Sequence, residues 1–219
     1  MKVYSLLVLI CLTTNLLLAQ DHLTPSIGFF ATNGPEQEYY KLLRENLLTG
    51  LSDRPMARVI VFPSFSPEYL VALEQDHLEY YLFFRTCSKS IWSIRSMPEP
   101  LTLIEKKTEI SPELGKRLNE FLFVTISHAR YPPIEYISFQ GQKPVMAFPM
   151  GVDGVTYRFV ATMPDSDVRS GEIYSPEKGS LMARLVGVVD LMASVAKGAG
   201  KESDLAAAVE KLNKQLTGK

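Results

Sequence analysis

The chain has 219 residues, 46% of them apolar and 21% charged, with a formal net charge of -1. Those proportions are ordinary for a globular protein long enough to bury a core. No run of like charges stands out, which argues against a nucleic-acid partner, since that calls for a basic stripe, and against a purely electrostatic hold on a membrane.

The first twenty residues say most. Lys2 precedes the apolar run Leu6 to Leu12, a polar dip at Thr13-Thr14-Asn15, and then Leu16-Leu17-Leu18-Ala19 before Gln20-Asp21. One positive charge, an apolar stretch and a small residue ahead of polar chain form the pattern of a secretory signal peptide cleaved near Ala19. An uncleaved anchor is the rival, but a span needs about 20 predominantly apolar residues and the dip interrupts this one. A lipid-modified Cys11 fits poorly, because Ile10 stands where a small residue belongs. Cleavage leaves residues 20–219, with a formal charge of -2 and no transmembrane segment expected. The product is expected to be exported, to the periplasm or the extracellular space.

The sequence contains two cysteines, and only Cys87 lies beyond the leader, so the mature chain can close no internal disulfide. A lone thiol in an oxidising compartment has three readings: buried and inert, paired with another chain, or catalytic.

In chain order, Asn33-Gly34-Pro35 opens a helix to about Leu48, closed by Gly50. Arg58 to Phe62 reads as a buried strand ended by Pro63. Ser66-Pro67-Glu68, Ser111-Pro112-Glu113 and Ser175-Pro176-Glu177 each supply an N-cap hydroxyl, a proline suited to the first turn and a carboxylate at the positive end of the helix dipole. They predict helices from Pro67 to about Gln75, Pro112 to about Ala129 and Pro176 to about Lys197.

Between the first two, Leu78 to Cys87 alternates as a strand, with Leu78, Tyr80, Leu82 and Phe84 on one face and Tyr81, Phe83, Arg85 and Cys87 on the other. Two further strands, Ser90 to Ile94 and Leu101 to Glu109, flank a Met97-Pro98-Glu99-Pro100 turn, and the charges of the second place its end in solvent or at a sheet edge. Asp153-Gly154 predicts a hairpin between Val145 to Val152 and Val155 to Met163, and a short strand follows near Glu172 to Tyr174.

Gly198-Ala199-Gly200 reads as a joint. Beyond it a last helix carries Leu205, Val209, Leu212 and Leu216 on one stripe, either folded back on the body or docked in a partner's groove.

The order α-β-α-β-β-β-α-β-β-β-α-α indicates an α+β fold. A mostly antiparallel sheet of about five or six strands is packed by two long helices, plus a C-terminal amphipathic helix. The expected organisation is a signal peptide over 1–19, one globular domain over 20–197, and the joint and helix over 198–219.

Recognisable chemistry is sparse. His22, His77 and His128 are scattered, no zinc-ligand spacing occurs, and phosphate-cradling glycine loops and the Gly-x-Ser-x-Gly elbow are missing. No metal or cofactor is expected.

One nucleophilic pairing is conceivable: Cys87 with His128, assisted by Arg85 on the Cys87 face, as a small hydrolase. His128 also suits the negative end of a helix dipole. Trp92, with Tyr131, Tyr136 and Phe139, could line an aromatic groove. Trp92 and Tyr157 could line the pocket of a small-ligand carrier. Arg158 faces either a carboxylate ligand or one of Asp165, Asp167 and Glu172. Glu172 and Glu177 flank an expected helix start, where carboxylates are favoured without any catalytic purpose. The leading expectation is a non-enzymatic binding module whose partner is another envelope or secreted protein.

Overall fold

A computed structural model describes residues 21–26, 37–94, 100–131, 153–164 and 167–218, together with the backbone of 136–137 and 145–146. The leader, the 97–99 turn, Phe139 and most of the 145–152 arm lie outside these residues.

Nine strands are described: β1 Thr24–Pro25, β2 Ala57–Pro63, β3 Tyr69–Asp76, β4 Glu79–Cys87, β5 Leu103–Ile110, β6 Tyr136–Ile137, β7 Val145–Met146, β8 Val155–Ala161 and β9 Arg169–Tyr174. The helices are α1 Gln37–Asn46, α2 Ile91–Ile94, α3 Pro112–Ser127, α4 Leu181–Ala196 and α5 Glu202–Thr217. Seven strands form one sheet in the order β1-β9-β8-β2-β3-β4-β5, every neighbouring pair antiparallel; β6 and β7 pair separately. The fold is α+β, with more strands in its sheet than the five or six expected.

The alternation read in β4 governs the packing. Tyr80, Leu82 and Phe84 point into a large core with Val59, Val61, Val71 and Phe159, under α3, α4 and α5. Phe83 and Cys87 point the other way, into a smaller core with Ile60, Leu70, Tyr39, Leu43, Leu47 and Ile91, beneath α1 and α2. The central strands are therefore buried on both faces, which explains their near-continuous apolar runs. Charged β5 is the sheet edge, as its sequence implies.

Several elements differ from expectation. Pro67 to Gln75 is not a helix: Tyr69–Asp76 is β3, paired with β2 and β4 along its length. Its Leu, Ala, Glu and Gln content favours helix, but ladder bonds on two sides outweigh that preference of a few tenths of a kcal/mol per residue. Ser90 to Ile94 is not a strand; Ile91–Ile94 forms the one-turn α2.

Asp153-Gly154 joins no long hairpin, because both edges of β8 are occupied by β2 and β9. At Ser175-Pro176-Glu177 the helix starts later: Ser180 caps α4, its Oγ accepting from Ala183 N at 3.0 Å, after Gly179 at φ 92°. Ser111 does cap α3, and its backbone N–H donates to Glu202 Oε1 at 3.1 Å, tying α3 to the first turn of α5.

The C-terminal helix folds back on the body. Leu205, Val209 and Leu212 are fully buried in the large core and Leu216 packs against it. The 198–200 joint is a hydrogen-bonded turn in which Ala199 N and Gly200 N both donate to Ser194 O at 3.0 Å. The stripe expected as a docking face is therefore part of the interior.

Candidate functional site

Cys87 ends β4 on the α1 face of the sheet, and His128 caps the C-terminus of α3 on the opposite face. The sheet stands between thiol and imidazole, so the structure does not assemble the Cys87–His128 pair. Burial, and then the Glu68 charge, push the Cys87 thiol up to about 11, against a smaller opposing effect of Arg85. A catalytic cysteine needs the reverse shift. Arg85 Nη1 donates to Leu47 O at 3.0 Å and Thr49 O at 2.7 Å, and its Nε meets Glu105 Oε1 at 2.5 Å. It anchors the end of α1.

Arg158 follows the simpler of its two expected roles, with Nε 3.0 Å from Glu172 Oε2 across the β8–β9 pair. Its guanidinium also lies over the Tyr40 and Phe62 rings. Trp92 lies on the α1 face, edge-on to Tyr39 at 5.2 Å, whereas Tyr157 packs against the large core on the other face. They line no common pocket. Tyr131 is exposed, and the side chains of Tyr136 and Phe139 lie outside the described residues.

The residue that sequence reasoning misjudged most is Glu68. It is buried, and its carboxylate accepts from Tyr39 Oη at 3.0 Å, Ile91 N at 2.7 Å and Trp92 N at 3.1 Å. It caps the first turn of α2 from 23 residues away instead of serving a helix of its own. Nothing local signals that pairing.

Two surface features remain. Phe65, Trp92, Leu103, Ile104 and Tyr174 are exposed large side chains, with Phe65 84% exposed. All belong to the sheet end where β2, β4 and β9 finish and β3, β5 and β8 begin. The loops there are strapped together. Ser64 N donates to Gly154 O at 3.0 Å, Gly154 N donates to Ser64 Oγ at 3.0 Å, and Tyr174 Oη donates to Asp153 O at 2.6 Å.

The second is a cleft of about 240 Å³ on the helix side, where Asp21, His22, His128, Arg130 and Asn213 meet the end of α5. It is smaller than the roughly 300–1,000 Å³ of a typical ligand pocket. Burial, then the Arg130 charge, hold the His22 pKa below its ordinary value, with Asp21 opposing.

No family model, curated protein or solved structure matches this chain.

The chemistry on offer is limited. Among the described residues no three His, Cys, Asp or Glu side chains cluster to hold a metal ion. Nor does any described helix have the length and apolarity to cross a membrane. Contact through apolar surface is what the arrangement can do most directly.

Proposed function

We propose that this protein is an exported, non-enzymatic binding module of the cell envelope or extracellular space, and that its partner is another envelope or secreted protein. The N-terminal leader pattern supports export. The observation that supports binding is the apolar rim: five of the nine exposed large apolar side chains among the described residues lie at one sheet end, the others, Leu78, Val124, Tyr131 and Val168, lying elsewhere. Single exposed apolar residues are ordinary, but a set that shares one sheet end suits a recognition surface. Aromatic anchors such as Phe65 and Trp92 are the kind that dominate binding energy at interfaces. The C-terminal helix, buried as it is, has no part in this surface.

The test places a photoreactive phenylalanine at position 65 or 104, or at exposed Lys211 on α5, in the exported protein. The same partner should cross-link from 65 and 104 and not from 211, and Phe65→Ser should weaken its capture from 104. Equal capture from all three positions, or none, contradicts a rim-directed partner.

A further inference from the structure

The two edges of the seven-stranded sheet are unlike. β1 has two residues, whereas β5 runs over eight, Leu103–Ile110. Leu103 to Lys107 and Glu109 are exposed along it. A long open edge is a template for another strand, and lysines on such an edge usually blunt it. On β5 the lysines alternate with acids that could partner them.

The ladder shows which backbone groups are open. Ser88 N donates to Thr102 O at 2.9 Å, one step beyond the Cys87–Leu103 pair. Bonded pairs alternate along an antiparallel ladder, so Ile104, Lys106, Thr108 and Ile110 turn their amides and carbonyls toward β4. Leu103, Glu105, Lys107 and Glu109 turn theirs outward. Among the described residues no backbone hydrogen bond reaches those outward groups.

We propose that β5 pairs with β5 of a second copy, antiparallel about a two-fold axis at Lys106, joining the two sheets into one. An axis normal to the sheet keeps like faces together, so outward-turned residues of one copy must oppose outward-turned residues of the other. Two such registers overlap nearly the whole strand. An axis at Lys107 sets that lysine against itself and Glu105 against Glu109. An axis at Lys106 sets Glu105 opposite Lys107 of the second copy twice over, with Leu103 opposite Glu109 and Ile104 opposite Thr108. Opposite charges across a strand pair stabilise it and like charges destabilise it, so the pattern selects this register and a second copy as occupant. Only Lys106 meets its own kind, and it stands in solvent.

The side chains suit that pairing. Glu105 lies across from Arg85 on its own β4, at 2.5 Å, and Lys107 of the second copy would continue the row with alternating sign. The Glu105 and Lys107 side chains are each 44% exposed, which leaves each room for a further partner. Two-fold pairing uses up the long edge, and assembly closes at a dimer. The two rims then sit at opposite ends of the joined sheet, each open to the partner proposed above. Neither assembly depends on the other.

The test purifies the chain expressed with its leader and measures its mass by sedimentation equilibrium up to about 100 μM, where a micromolar pairing is largely formed. The parent should reach twice the monomer mass. Lys107→Pro should stay monomeric with a parent-like thermal transition, since that N–H makes no bond to β4. Cysteines then read the register. Lys106→Cys puts two thiols on the axis, with Cα atoms about 4.5 Å apart and within disulfide reach. Ile104→Cys puts them about 13 Å apart along the strands. Disulfide dimers should therefore form in Lys106→Cys and not in Ile104→Cys. A parent that stays monomeric at that concentration, a dimer that survives Lys107→Pro, or equal cross-linking by the two cysteine variants overturns the pairing. Should Lys107→Pro unfold, the cysteine variants decide. A monomer that still captures a partner from position 65 overturns the dimer and leaves the proposed function standing.

Discussion

Glu68 shows how one side chain can hold two elements together. Its carboxylate accepts from a phenol, the Ser90 hydroxyl and two amides, so its loss takes the acceptor from four donors at once. Glu68→Ala should lower stability by about 3 kcal/mol, read as the urea midpoint at unchanged slope, whereas Tyr39→Phe, which removes one donor, should cost about 1 kcal/mol.

Cys87 behaves as a core residue. Its thiol is raised from 9.0 to about 11, so the folded state keeps a proton that the unfolded chain releases earlier. Stability from this group is whole below pH 9 and is lost as pH climbs through about 11. The raised phenols of Tyr39 and Tyr69 act in the same direction. Urea midpoints should therefore fall on passing from about pH 8 to about pH 10.5, and Cys87→Ser should flatten part of that fall. Iodoacetamide should modify Cys87 slowly in the native protein and rapidly in urea; fast native modification contradicts the burial.

At the scale of elements, α5 completes the large core. Leu205, Val209 and Leu212 each lose nearly all exposure, worth about 1.5–3 kcal/mol apiece. Their sum is comparable with the roughly 5–15 kcal/mol that holds an ordinary domain. A chain ending at Gly198 should lose its cooperative thermal transition; a truncated chain that unfolds like the parent would show α5 to be dispensable.

The i, i+4, i+7 spacing made that helix legible in the sequence, but spacing cannot say whether an apolar stripe faces its own core or a partner. The same holds elsewhere. β4 was readable face by face, because alternating aromatics admit one arrangement, and the charges of β5 marked an edge. β3 was not, since its helix-favouring residues become a strand only through neighbours brought from either side. Of three Ser-Pro-Glu signatures one starts a helix where expected, at Ser111. At Glu68 the acid serves donors distant in sequence, and beyond Ser175 the turn through Gly179 hands the cap to Ser180. Among the site candidates, charge offered Arg158 three acids or a ligand, and only the β8–β9 register selects Glu172, while the separation of Cys87 from His128 depends on which sheet face each element covers.

For the whole molecule, helices pack on both faces of one antiparallel sheet, and five of the nine large apolar side chains exposed among the described residues lie at one end. That geometry offers contact surface and no assembled catalytic pair among the described residues. Its biological setting depends on the leader. The most direct measurement is the intact mass of the native protein, taken separately from the cytoplasmic fraction and from the envelope or culture fluid. The expected result is a chain beginning at Gln20, found outside the cytoplasm. A cytoplasmic chain still carrying residues 1–19 would contradict export, and with it the proposed partner class.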